Sequence, residues 1–214
     1  GTTNDAAIEL SYELANFFEP DGLSRSFFTS GGSDSVETAL RLARQYHKLR
    51  GEAGRTKFLS LKKGYHGTHI GGASVNGNSN FRTAYETDPE RLAHLCVQAL
   101  EDEIAFQGAG TIAAMIMEPI LGAGGVIPPH KSFAPMVQEI CNKNGILLIT
   151  DEVITAYGRT GAWSGARLWG IKPDMMATAK AISNGYFPFG AVMLGDRMVE
   201  VFENNPSAKI AHGY

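Results

Sequence analysis

Cysteine is scarce in this chain: Cys96 and Cys141 are the only two in 214 residues, with no CxxC spacing. That argues against a disulfide framework and fits reduced core thiols in the cytoplasm. No apolar run is long enough to cross a bilayer; the longest, such as Ile112 to Met117, are strand-sized. Basic residues number 19 against 22 acidic ones, a net charge of −3, and they are scattered. Neither a polybasic membrane-surface block nor a nucleic-acid footprint is present, so no membrane and no nucleic-acid partner is expected. No basic n-region followed by an apolar h-region opens the sequence, and no export signal is expected. The GxxxxGK[ST] loop of phosphate-binding ATPases is also missing.

What is present is the profile of a globular protein, 43% hydrophobic and 19% charged. At this length the chain can bury a substantial core. It opens on Gly1 and stops at His212-Gly213-Tyr214 without a cap or polar tail, so an excerpt of a longer polypeptide is expected.

Asn4 to Phe18 places Ala7, Leu10, Leu14 and Phe17 on one helical face, with Thr3 as N-cap. Ser26 to Thr29 reads as a short strand and Ser30-Gly31-Gly32-Ser33 as a turn. A second helix carries Val36, Ala39, Leu40 and Ala43 inward, with Asp34 and Glu37 at capping-box spacing. Lys57 to Leu61 is strand-like. Asp88-Pro89 opens a helix with Leu92, Leu95 and Ala99 facing the core. Thr111 to Met117 reads as a buried strand. Phe133 to Asn144 reads as a helix burying Met136, Val137 and Ile140 and ending at Asn144-Gly145. Ile146 to Thr150, Met175 to Thr178 and Gly190 to Leu194 complete the strands. Helices alternating with strands that are apolar throughout predict an α/β fold, a mainly parallel sheet with helices on both faces. Ligands of such sheets bind beyond the carboxyl ends of the strands, where Ser30 to Ser33, Glu118, Asp151 and Lys180 all fall.

Each of these groups has a chemical reading and a plain one. Gly31 and Gly32 between strand and helix offer bare amides for a phosphate, joined by the Ser33 hydroxyl, or simply form a turn. Asp151-Glu152 at the end of Gly145 to Thr150 suggests an ATPase metal site, which the missing lysine loop argues against, or a strand-end acid capping a loop. Lys180 follows a short apolar strand, and most lysines are merely solvated. Tyr65-His66-Gly67-Thr68-His69 has HxxH spacing, but Gly64 and Gly67 indicate a loop, so no metal site is expected. Tyr65 is an aromatic platform or a packed loop residue. Together, a phosphate cradle, an aromatic face, a buried acid and a lysine match the needs of pyridoxal 5′-phosphate.

The motifs Phe27 to Ala39 (FFTSGGSDSVETA), Gly64-Tyr65-His66-Gly67, Glu118 to Gly125 (EPILGAGG), Asp151-Glu152-Val153 through Gly158-Arg159-Thr160-Gly161, and Pro173-Asp174 through Lys180 to Gly185 follow one another along nearly the whole chain. In order and spacing the chain resembles the class III pyridoxal-phosphate aminotransferases of the ω-amine:pyruvate type. The resemblance implies the aspartate-aminotransferase-like (fold type I) large domain over residues 1–214. It implies transamination between an amine or ω-amino acid donor and a keto acid such as pyruvate, by ping-pong kinetics. Lys180 is then the Schiff-base lysine and Asp151 the partner of the pyridine nitrogen. Gly32 and Ser33 hold the phosphate, Tyr65 and Val153 lie on opposite faces of the ring, Glu118 is near the cofactor's polar edge, and Gly122-Ala123 border the amine pocket. The implied working unit is a homodimer or a dimer-based homo-oligomer.

The chain departs from the family in length, being about half of it. The N-terminal segment, the C-terminal small domain and the arginine for the substrate carboxylate are expected to lie outside it. Tyr85-Glu86-Thr87-Asp88 is abrupt where relatives carry a longer loop, and a missing loop is expected near 86–87. His212-Gly213-Tyr214 stops short of a threonine that reaches the neighbouring subunit's phosphate. The alternatives are an aminomutase or racemase on the same fold, or a phosphate-binding module without covalent chemistry.

Overall fold

The computed structural model describes residues 4–61, 64–67 and 89–207. Among the described residues six strands form one mixed sheet. In chain order they are β1 (Leu23–Thr29), β2 (Lys57–Ser60), β3 (Ile112–Met117), β4 (Leu147–Asp151), β5 (Met175–Thr178) and β6 (Gly190–Gly195), arranged β1-β6-β5-β4-β3-β2. The pairs β2·β3, β3·β4 and β4·β5 are parallel; β6 runs against both β5 and β1.

The sheet is mainly parallel as expected, and its apolar strands are covered on both sides. Every residue of β3, β4, β5 and β6 is buried. On one face, Leu14 and Phe18 of α1 (Asp5–Phe18), Ala93, Val97 and Ile104 of α3 (Pro89–Gln107), and Phe133, Val137 and Ile140 of α4 (Phe133–Lys143) pack on Met115, Met117 and Leu148. On the other, Val36, Ala39, Leu40, Ala43 and Tyr46 of α2 (Gly32–Leu49) and Met198 of α5 (Asp196–Glu203) pack on Ile116, Ile149, Ala177 and Val192. Burying one such Ile, Leu, Met or Phe side chain is worth roughly 1.5–3 kcal/mol.

Local readings of the sequence needed correction in five places, one of them Cys96, which is exposed on α3 while Cys141 alone is a buried core thiol. The first helix is capped by Asn4, whose Oδ1 accepts the Ala7 amide at 2.9 Å; Thr3 lies outside the described residues. The second begins at Gly32, two residues ahead of Asp34, so Asp34 sits in its first turn and accepts from the Ser30 hydroxyl instead of forming a capping box. Leu95 is 55% exposed and Ala99 is exposed, because α3 turns Ala93, Val97 and Ile104 to the core; the side chain of Leu92 is outside the described residues. Met136 is only partly buried beside Val137 and Ile140. Asp88, the abrupt stretch at 85–88 and the residues 212–214 also lie outside the described residues.

The reversal of β6 brings its first residue to the same end of the sheet as the last residues of β1 and β5, with Thr29 opposite Gly190 and Thr178 opposite Ala191. Ser35 bolts the start of α2 to this edge. Its Oγ lies 2.7 Å from Thr29 Oγ1, 3.0 Å from the Gly31 carbonyl and 3.1 Å from that of Thr178. Gly190 lies against this joint, and a Cβ there would meet Ser35 Oγ at 2.5 Å, the Gly31 carbonyl at 2.8 Å and Thr29 Oγ1 at 2.8 Å. Gly190→Ala is therefore expected to destabilise the fold by about 1–3 kcal/mol, the range for overpacking a tight site. The urea midpoint of the variant against the parent measures it, and an unshifted midpoint would show that the joint yields freely.

Candidate active site

The carboxyl ends of β3, β4 and β5 and the start of α2 meet in one crevice. Asp151 is the last residue of β4, opposite Ala177 of β5, and is 5% exposed. Its Oδ2 lies 2.8 Å from His66 Nδ1, and its Oδ1 accepts the Val153 amide at 3.2 Å. His66 itself is fully buried. The HxxH reading considered it only as a metal ligand; the structure makes it the group that holds Asp151, while His69 lies outside the described residues. Burial of a histidine inside Gly64-Tyr65-His66-Gly67 was the one available signal, and the sequence does not display burial.

The glycines of the phosphate-cradle motif are needed for close approach. A Cβ on Gly32 would sit 3.0 Å from Val153 Cγ1 and 3.5 Å from Ala179 Cβ, so the first turn of α2 is pressed onto the residues that follow Asp151 and precede Lys180. Gly67 has φ +88°, and a Cβ there would meet Ser33 Oγ at 2.6 Å. Gly31 has open space at the corresponding position. The α2 amino terminus, with 18 residues of helix behind it, thus faces the crevice floor built by Val153, Ala179 and Gly67. Such a terminus favours an anion by about 0.3–1 kcal/mol through the helix field, in addition to the hydrogen bonds of its amides.

Lys180 follows β5 by two residues, is exposed, and adopts the left-handed φ of +46°. Only a few per cent of non-glycine residues do so, and such strain gathers at functional positions. Glu118 follows β3 and is 5% exposed; it accepts the Tyr65 amide at 2.9 Å and the Gly122 amide at 2.8 Å. Burial, seconded by the charge of Asp151, holds its carboxyl above the ordinary range despite those two amides. Tyr65 is 46% exposed with its backbone secured by Glu118, leaving the ring available. The residues singled out from sequence, Gly32, Ser33, Tyr65, Glu118, Asp151, Val153 and Lys180, therefore lie in one neighbourhood, with His66 as an addition.

Glu152 points away from this crevice. It is fully buried and accepts the Gly165 and Ala166 amides, both at 2.7 Å, and the Thr155 hydroxyl. Its own amide donates to the Ala177 carbonyl at 2.8 Å, joining β4 to β5 just beyond Asp151.

The donor set suits a phosphorylated, cationic aromatic ring: anion-binding amides at one end, a buried carboxylate at the other, and an amine beside them. The whole chain from residue 1 to 213 matches the model of the class-III aminotransferases. The chain belongs to that family. This class-III aminotransferase chain is 37% identical over 96% of its length to the omega-amino acid–pyruvate aminotransferase of Pseudomonas putida, of which it covers 52%. It is 38% identical over 97% of its length to the omega-aminotransferase of Caulobacter vibrioides, again covering 52%. Among solved structures it superposes on an amine transaminase from an uncultivated Pseudomonas species in its PLP-bound form, with a TM-score of 0.93 and 43% identity. All of this chain and 53% of that one are covered. The class-III aminotransferase chain thus spans about half the length of the relatives it matches. Its fold is that of the pyridoxal-phosphate-dependent transaminases (fold type I), and the comparisons indicate pyridoxal phosphate as the cofactor.

Burial outweighs the three donors at Glu152 and pushes its carboxyl up to about 7. The folded state thus binds a proton more readily than the unfolded chain. The stability this adds is fully present below about pH 4.5 and is lost as pH rises through about 7. Glu152→Gln, a mimic of the neutral acid, is expected to flatten the fall in urea midpoint between pH 5 and 8. Parallel curves for parent and variant would contradict this.

Proposed function

We propose that residues 1–214 are the cofactor-carrying large domain of an ω-amine transaminase. It moves an amino group from an amine or ω-amino acid to a keto acid such as pyruvate, as a cytoplasmic homodimer. The observation that carries this reading is the meeting of the buried Asp151, held by His66, with the α2 amino terminus and the strained Lys180 at one end of the sheet. Similarity to an omega-amino acid–pyruvate aminotransferase and to an amine transaminase supports the donor and acceptor classes.

Gly32 and Ser33 would bind the phosphate through backbone amides and the Ser33 hydroxyl. The Tyr65 ring and the Val153 side chain would hold the two faces of the heterocycle, and Glu118 would border its polar edge. Asp151 would accept a hydrogen bond from the protonated ring nitrogen and so keep the proton on that nitrogen, since a carboxylate within roughly 4–6 Å of a cation favours the charged form. When bound, pyridoxal phosphate supplies an aldehyde that captures amines and a ring that withdraws electrons from the neighbouring carbon. Lys180 Nζ would carry the aldehyde at rest. When free and neutral, Lys180 Nζ would be the base that moves the proton of the donor carbon. Release of the carbonyl product before the keto acid enters gives ping-pong kinetics.

In the holoenzyme, Lys180→Ala is expected to abolish both turnover and the visible absorbance of the lysine-bound cofactor; retention of either refutes the assignment. Asp151→Asn is expected to slow the half-reaction with an amine by about 10²–10³-fold, the range for removing one preorganised electrostatic partner. Cofactor affinity should fall far less, and an undiminished half-reaction in stopped-flow absorbance counts against the role.

A further inference from the structure

The two walls of the crevice come from distant parts of the chain. One is the segment 64–67 after β2, which carries Tyr65; the other is the loop after β3. That loop is closed by the Leu121–Ile127 bridge and turned by the Gly125 and Val126 amides donating to the Gly122 carbonyl at 3.1 and 3.0 Å. Neither wall continues a strand ladder at this point. Among the described residues they are joined by Glu118, whose Oε1 accepts the Tyr65 amide and whose Oε2 accepts the Gly122 amide. With both oxygens so engaged and 5% exposure, the carboxylate is fully committed to backbone. The second wall is also wedged from below. A Cβ on Gly122 would lie 2.6 Å from Ile154 Cδ1 and 3.4 Å from Glu118 Oε2, so the loop cannot settle deeper. Its outer turn carries Val126, 75% exposed and left-handed at φ +53°. A β-branched residue is strained there, and the conformation must be imposed by its surroundings.

We propose that Glu118 is a positioning residue that fixes the gap between the Tyr65 wall and the 122–126 wall, and thereby sets which amine donors fit. This rests on the transaminase reading and alters its account of Glu118: the carboxylate acts on the width of the donor site through two amides, while the chemical step stays with Lys180 and Asp151. Replacing one carboxylate oxygen by an NH2 group turns a donor toward a donor and releases one wall.

The test is Glu118→Gln in two measurements. In hydrogen exchange on the cofactor-free protein, peptides containing 64–67 and 119–127 should exchange faster by about tenfold, as expected for loss of a charge-assisted hydrogen bond. Peptides of β4 and β6 should be unchanged. In steady-state kinetics with pyruvate, KM should rise about tenfold for donor amines with kcat within about threefold. The preference between isopropylamine and 1-phenylethylamine should also shift, the signature of altered binding. Unchanged exchange in both loops overturns the proposal. So does an equal fall in kcat for every donor at constant KM, which would place Glu118 in contact with the reacting atoms. A parent enzyme inactive with every amine would instead refute the transaminase reading, and the exchange result would still decide the role of Glu118 as a tie; a Gln variant inactive beside an active parent overturns the proposal. If the Gln variant does not fold, Glu118→Asp, one methylene too short to reach both amides, is read in the same way.

Discussion

A carboxylate at the end of a strand with no exposed side chain is costly unless donors meet it, since an ion removed from water loses several kcal/mol of solvation. At Asp151 the donors are His66 on one oxygen and the Val153 amide on the other. The surrounding architecture follows from this pairing. It draws the segment after β2 across to β4, which brings Gly67 onto Ser33 and Tyr65 onto Glu118. It also fixes Val153 beneath Gly32, so the amino terminus of α2 is seated on the side chain two residues beyond the acid.

The neighbouring Glu152 shows how adjacent acids divide their work. Alternation along the chain turns it to the other side, where it organises residues 164–166 and secures β4 to β5. Asp21 extends this second network, accepting the Ser164 hydroxyl at 2.8 Å and Arg167 Nε at 2.7 Å. The acid on the crevice side is thus backed by a buried polar lattice that fixes the strand end without entering the crevice.

Much of this was legible in the sequence. The runs Ile112 to Met117 and Ile146 to Thr150 could only be doubly covered strands, and Asn144-Gly145 marked a helix end. The candidate residues were all recognisable by type and by position after a strand. What escaped depends on partners distant in sequence. Ser35 reads as a bland helix residue until Thr29 and Thr178 surround it. His66 looked like half of a metal pair because its partner lies 85 positions away. The inward face of α3 was misjudged because Leu95 outranks Ala93 in hydrophobicity, whereas close helix packing favoured the smaller residue.

The strand order has a consequence for synthesis. Among the described residues β1, the earliest strand in the chain, has the latest, β6, as its ladder neighbour, and no other described strand pairs with it. A ribosome-bound chain must therefore hold β1 and the glycine turn behind it without this ladder until residues 190–195 have emerged. Closure of so long a loop costs entropy before any contact repays it, and the waiting edge can pair with a neighbouring nascent chain. The end of the sheet at which α2 starts is thus encoded early and completed late, once β6 has slotted between β1 and β5.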